Sequence, residues 1–155
     1  YQHALHVEPP REESHTMGPL PQFLADRCGW QELTRAVVGV YESLPEAERA
    51  KALIVASNYG EAGALLYYGR RLGLPAAVSQ HNSFYLWGPG NLTPDVVITI
   101  GQAPQDLQDT FESIVPAGRI EAPYAMPYET RRPICICRGW KIRLDVAWKQ
   151  GKHFE

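Results

Sequence analysis

Residues 51–73 read KALIVASNYGEAGALLYYGRRLG. The first seven, Lys51 to Ser57, carry an aliphatic run with no polar alternation. That pattern fits a strand buried on both faces, as in a parallel sheet. Glu61 to Leu72 then favour a helix, and Gly73 stands where a C-terminal glycine cap belongs. Between strand and helix lies Asn58-Tyr59-Gly60-Glu61. With Asn58 as N-cap, Glu61 falls at the third helical position, the spacing of a capping box with Asn in place of Ser or Thr. The same carboxylate lies beyond the carboxyl end of a strand, where open α/β sheets bind ligands. Glu61 as cap and Glu61 as ligand contact both stand at this level. Gly60 leaves room in the first turn for a ligand or a backbone to come close. One isolated glycine without a lysine does not make a phosphate loop.

Working outward, residues 1–29 lack periodicity and read as an extended arm, pinned by Leu20, Phe23 and Leu24. WQELTRAVVGVYESLP (30–45) is a helix whose Leu33, Val37, Val40, Tyr41 and Leu44 share one face. Downstream, LPAAVSQ and PDVVITIG (94–101) are strands, and APQDLQDTF is a short helix. ESIVPAGRIEA is a strand that Pro116 marks as bulged or at an edge. RPICICRG is a further strand. WKIRLDVAWK is a closing helix with Trp140, Leu144 and Trp148 on one side. Strands alternating with helices predict an α/β domain over residues 30–155. The expected form is a three-layer sandwich, Rossmann-like, with a mostly parallel sheet of about five strands.

Net charge is −2, which gives no reason to expect nucleic acid. The charge is uneven: residues 131–155 hold seven basic and two acidic side chains, leaving −7 for the rest. Such a tail can be a solvated face or can meet an anionic membrane surface. Three cysteines at irregular spacing make no disulfide framework. Cys135 and Cys137, two apart in a strand, read as small core residues, and no metal-ligand cluster is present. No apolar run approaches the roughly 20 residues of a membrane span. YQHALHVEPPREESH, polar and proline-bearing, is no signal peptide and reads as cut from a longer chain. NLT (91–93) matches a glycosylation acceptor, but Pro94 follows.

The strand ends supply the candidate site. Asn58, Tyr59 and Glu61 follow the first strand; His81 and Asn82 follow the second. If those strands are parallel, Glu61 and His81 meet at one rim, able to do acid–base work or to hydrogen-bond a polyol. QHNSFYLWGPG (80–90) adds Tyr85 and Trp87 in an aromatic loop, either stacking surface or core cover. PYAMPYETRRP (123–133) is a rigid proline loop that brings Tyr128 and Glu129. No catalytic nucleophile arrangement, metal set or cofactor motif is legible.

GPLPQFLADRCGW, the run from Leu44 to Gly90, AMPYE and CRGW together resemble the C-terminal soluble region of bacterial family 39 membrane glycosyltransferases. That family is related to protein O-mannosyltransferases and aminoarabinose transferases. The resemblance covers about Gly18 to Trp148; Cys28 stands where an aromatic is expected. It implies a parent with many membrane helices and a polyprenyl-phosphate sugar donor, whose catalytic acidic residue lies in a part not represented here. This region would then be extracytoplasmic (periplasmic) and non-catalytic. It would pack on the transmembrane body or bind a glycan or lipid-linked sugar through Asn58, Tyr59, Glu61, His81, Asn82, Tyr85, Trp87, Tyr128 and Glu129. Two other readings stay open: a self-contained hydrolase-type enzyme with a Glu61/His81 acid–base pair, and a purely structural domain.

Overall fold

Five strands form a single sheet in the computed structural model, which describes residue 16, residues 18–90 and residues 93–154. The polar opening segment, and the Asn91 and Leu92 of NLT, lie outside the described residues. The strands are β1 (Ala52–Ala56), β2 (Ala77–Ser79), β3 (Val96–Ile100), β4 (Phe111–Arg119) and β5 (Pro133–Trp140), in the spatial order β2-β1-β3-β5-β4. β1 runs parallel to both β2 and β3. β5 is antiparallel to both β3 and β4. The fold is therefore mixed α/β, and the expected mostly parallel sheet is corrected: two of its four pairings are antiparallel. The cause is the connection from β4 to β5. A parallel return needs a long crossover, usually a helix. Residues 120–132 contain turns and no helix, so β5 comes back against its neighbour.

The helices are α1 (Gln22–Ala25), α2 (Trp30–Glu42), α3 (Glu46–Arg49), α4 (Tyr59–Tyr68), α5 (Asn82–Trp87) and α6 (Leu144–Gln150). Alternation along the strands sends side chains to two cores. Ile54, Ala56, Ile98 and Ile134 pack with Leu33, Val37 and Val40 of α2 and with Ala62 and Leu65 of α4. Leu53, Val97, Cys135 and Cys137 face the other way, where Leu107, Phe111, Trp140 and Leu144 cover them. Both strand cysteines are thus buried core residues with free thiols.

Three local expectations need correction. The segment before α2 contains a helical turn, α1, which buries Gln22 and Ala25 and leaves Phe23 and Leu24 exposed. The aromatic stretch after β2 is helix α5, ended by Gly88 at φ +70°. Trp140 ends β5 opposite Phe111, so the last helix starts only at Leu144. Other readings match: Gly73 caps its helix in the left-handed region, and β4 is an edge strand with an irregularity between Pro116 and Gly118.

Candidate functional site

The parallel strands β1, β2 and β3 end at one edge. After β1 the chain enters α4, which packs on one face; after β3 it enters a 3-10 turn, Pro104–Leu107, whose Leu107 packs on the other. Between two such exits an α/β sheet has its ligand crevice. Here the protein's own ion pair fills it. Arg132 Nη1 lies 3.0 Å from Glu61 Oε1, and Arg132 Nη2 donates to Ser57 Oγ. The guanidinium crosses Gly101, whose φ of +81° and lack of a β-carbon make that approach possible.

Local sequence explains Glu61. Its backbone N–H donates to Asn58 Oδ1 at 2.9 Å, so Asn58 caps α4. The return reach of a capping box goes one residue further back than expected. Glu61 Oε2 accepts from Ser57 N and Ser57 Oγ, each at 2.9 Å, rather than from Asn58 N. Glu61 is 1% exposed. Burial raises its pKa, against the opposing pull of Arg132 and the Ser57 and Asn58 bonds. Arg132 neighbours Oε1 by distance as an ion pair, and among the described residues that oxygen receives no hydrogen bond. Gly60 makes room for Trp30, whose ring would sit 3.1 Å from a β-carbon there.

Above this pair opens a cleft of about 570 Å³. Ser57, Asn58, Tyr59 and Gly60 form one wall; Tyr128, Glu129 and Arg132 form another. His81 closes it from the end of β2, beside His153. Asp26, Cys28 and Trp30 border it from the α1–α2 side. The loop that carries Glu129 is held by backbone bonds from Ile120 N to Arg132 O (3.0 Å), Arg131 N to Ile120 O (2.7 Å) and Glu129 N to Met126 O (2.8 Å). Glu129 is pushed up to about 7, first by desolvation and then by Glu61, with Arg132 opposing and Asp26 adding. His81 is 5% exposed; its ring stacks on His153 with centroids 4.4 Å apart and tilts against Tyr59 at 5.1 Å. His153 is fixed by backbone bonds to both neighbours of His81: its N–H donates to Gln80 O, and Asn82 N donates to its carbonyl.

Five predicted residues therefore line one cleft: Asn58, Tyr59, His81, Tyr128 and Glu129. Glu61 lies under its floor. Asn82, Tyr85 and Trp87 are not lining residues, because the helix they form turns them away. Tyr85 stacks on Trp148 of α6, and Trp87 packs on Phe84 with most of its surface in solvent. Sequence reasoning missed Asp26, Trp30, Arg132 and His153. Arg132 was visible only as a member of the basic tail, and His153 drew no notice at all. Among the described residues no group of three or more His, Cys, Asp or Glu gathers to hold a metal ion, and no helix is long and apolar enough to cross a membrane. No protein-family model, curated protein or solved structure matches this chain.

Proposed function

We propose that this chain is a non-catalytic accessory domain of an integral-membrane glycosyltransferase that uses a polyprenyl-phosphate sugar donor. In this reading the cleft binds a sugar of the glycan acceptor or of the lipid-linked donor. The observation that carries it is convergence. NYGEAG, QHN and AMPYE, three of the segments behind the family resemblance, are far apart in sequence and meet around one cleft. Tyr59 and Tyr128, 53% and 40% exposed, offer ring faces for a sugar to stack on. Asn58, His81 and Glu129 supply hydrogen-bonding groups around them.

The acid–base alternative fits less well, since Glu61 is sealed beneath the cleft and bonded to Ser57. Its part is to position Ser57 and Arg132. On architecture, we read β2-β1-β3 with its helices as a Rossmann-like unit, the antiparallel pair β5-β4 being an extension. The domain would stand on the extracytoplasmic face of the bacterial cytoplasmic membrane. It would pack against the transmembrane body of its parent, with the exposed Lys141, Lys149 and Lys152 turned toward anionic headgroups.

The test is a titration of this chain with mannose, 4-amino-4-deoxyarabinose and farnesyl phosphate, followed through backbone amide shifts. Saturable shifts at Tyr59, His81 and Glu129 are expected for at least one of them, and Tyr59→Ala should abolish them. Absence of saturable shifts in the cleft for all three, or shifts that survive Tyr59→Ala, would remove the sugar-binding role.

A further inference from the structure

The sheet face opposite α2 and α4 is thinly covered. Where β1 and β3 present Val55 and Val97, α6, the turn around Leu107 and the rings of Phe111 and Trp140 lie over them among the described residues, and a cavity of about 230 Å³ stays open between the layers. The rings of Phe111, Trp140 and Trp148 line part of it, and Thr99, Gln102, Thr110 and Gln150 put polar groups on the rest. Both indole N–H groups are used elsewhere. Trp140 Nε1 donates to Pro94 O at 2.8 Å, and Trp148 Nε1 donates to Tyr85 O at 3.3 Å. The rings therefore turn only carbon toward the cavity. An apolar ring can pack its faces against these carbons while its edge meets the polar side chains of the lining.

The roof is fastened. Gln80 Nε2 donates to Ala147 O at 2.8 Å and to Trp148 O at 3.2 Å, tying α6 to the end of β2. The space is thus held open by a bonded frame. Asp106 is the one charged residue in its lining, and it is solvent-exposed.

We propose that this cavity is a second binding site, separate from the polar cleft, for a single apolar ring about the size of indole. An engineered cavity of about 150 Å³ holds benzene, so about 230 Å³ admits a second fused ring. Asp106 at the mouth makes the site accept neutral or cationic rings and disfavour anionic ones.

Indole and indole-3-propionate are titrated into the full chain while the methyl signals of Val55, Val97 and Leu144 and the indole N–H signals of Trp140 and Trp148 are followed by NMR. Indole is expected to shift them saturably. Ala147→Leu, which fills the cavity from α6, should weaken indole binding at least tenfold. Indole-3-propionate should bind at least threefold more weakly than indole, and Asp106→Asn should close that gap. If Ala147→Leu does not fold, xenon-pressurised crystals of the unmutated chain give the second reading, with a xenon atom expected between Val97 and Trp148. Unsaturable shifts, undiminished binding in the filled variant, xenon absent from that position, or shifts confined to Tyr59 and Tyr128 would each overturn the site. Equal binding of the anion would overturn its charge preference.

Discussion

β2, β1 and β3 run parallel and end together at the polar cleft, whereas β5 and β4 form an antiparallel pair whose outer strand is exposed along most of its length. The parallel half owes its burial to its connections, because crossovers lay helices on the sheet. The antiparallel half needs no crossover and gains no cover from one. Its contribution is its loop. β4 points the same way as β3, so the loop after Arg119 starts at the edge where β1, β2 and β3 finish. That loop carries Arg132 into the crevice of the other half and Glu129 onto its rim. One half makes the crevice and the other half furnishes it.

Breaking the link between the halves should have the largest effect. Arg132→Met leaves the Glu61 carboxylate buried without a counter-charge, a type of loss that costs about 3 kcal/mol. Urea unfolding should show it, more at pH 8 than at pH 5, because protonated Glu61 tolerates burial better. A loss below about 1 kcal/mol would mean that the halves are independent.

Glu129, on the rim, should give a smaller effect. Its folded pKa of about 7 lies above the ordinary 4.5. The stability tied to the protonated form is present below about pH 4.5 and is lost as pH rises to about 7. Glu129→Gln keeps the neutral form throughout. It should match the parent near pH 4 and exceed it at pH 8 by about 2 kcal/mol in thermal melts, somewhat below the full value of the shift because the site is partly solvated. Parallel pH profiles for the two proteins would show that the carboxyl is well hydrated.

The smallest effect belongs to the antiparallel margin. Val115 sits exposed on β4, and Val115→Lys should change stability by no more than about 0.5 kcal/mol by denaturant titration. A larger loss would reveal a contact across β4 that the parallel half depends on.

Much of this was legible in the sequence. The run Ala52–Ala56, the Asn58 cap, the amphipathic face of α2 and the edge character of β4 all follow from periods and punctuating residues acting locally. The direction of β5 did not, because RPICICRG reads alike in a parallel or an antiparallel pairing; only the helix-free loop before it holds the signal. α5 was hidden because Asn82 opens it at φ 50° and no side-chain cap announces it. Within the site, residues beyond strand ends were found by topology. Arg132 and His153 were not, since their roles come from folding of distant segments. Arg132 lies 75 residues from its hydrogen-bond partner Ser57.

The margins of the sheet bear on how copies of this protein meet. One outer strand, β2, has three residues; the other, β4, carries Pro116 and an irregular register before Gly118. A strand that short offers few rungs for a visitor, and a proline has no N–H to lend one. The five-stranded sheet of the described residues is open, and these two features blunt the edges that would otherwise let crowded copies zip together. Molecules packed side by side at high concentration would then stay separate, each with its cleft open.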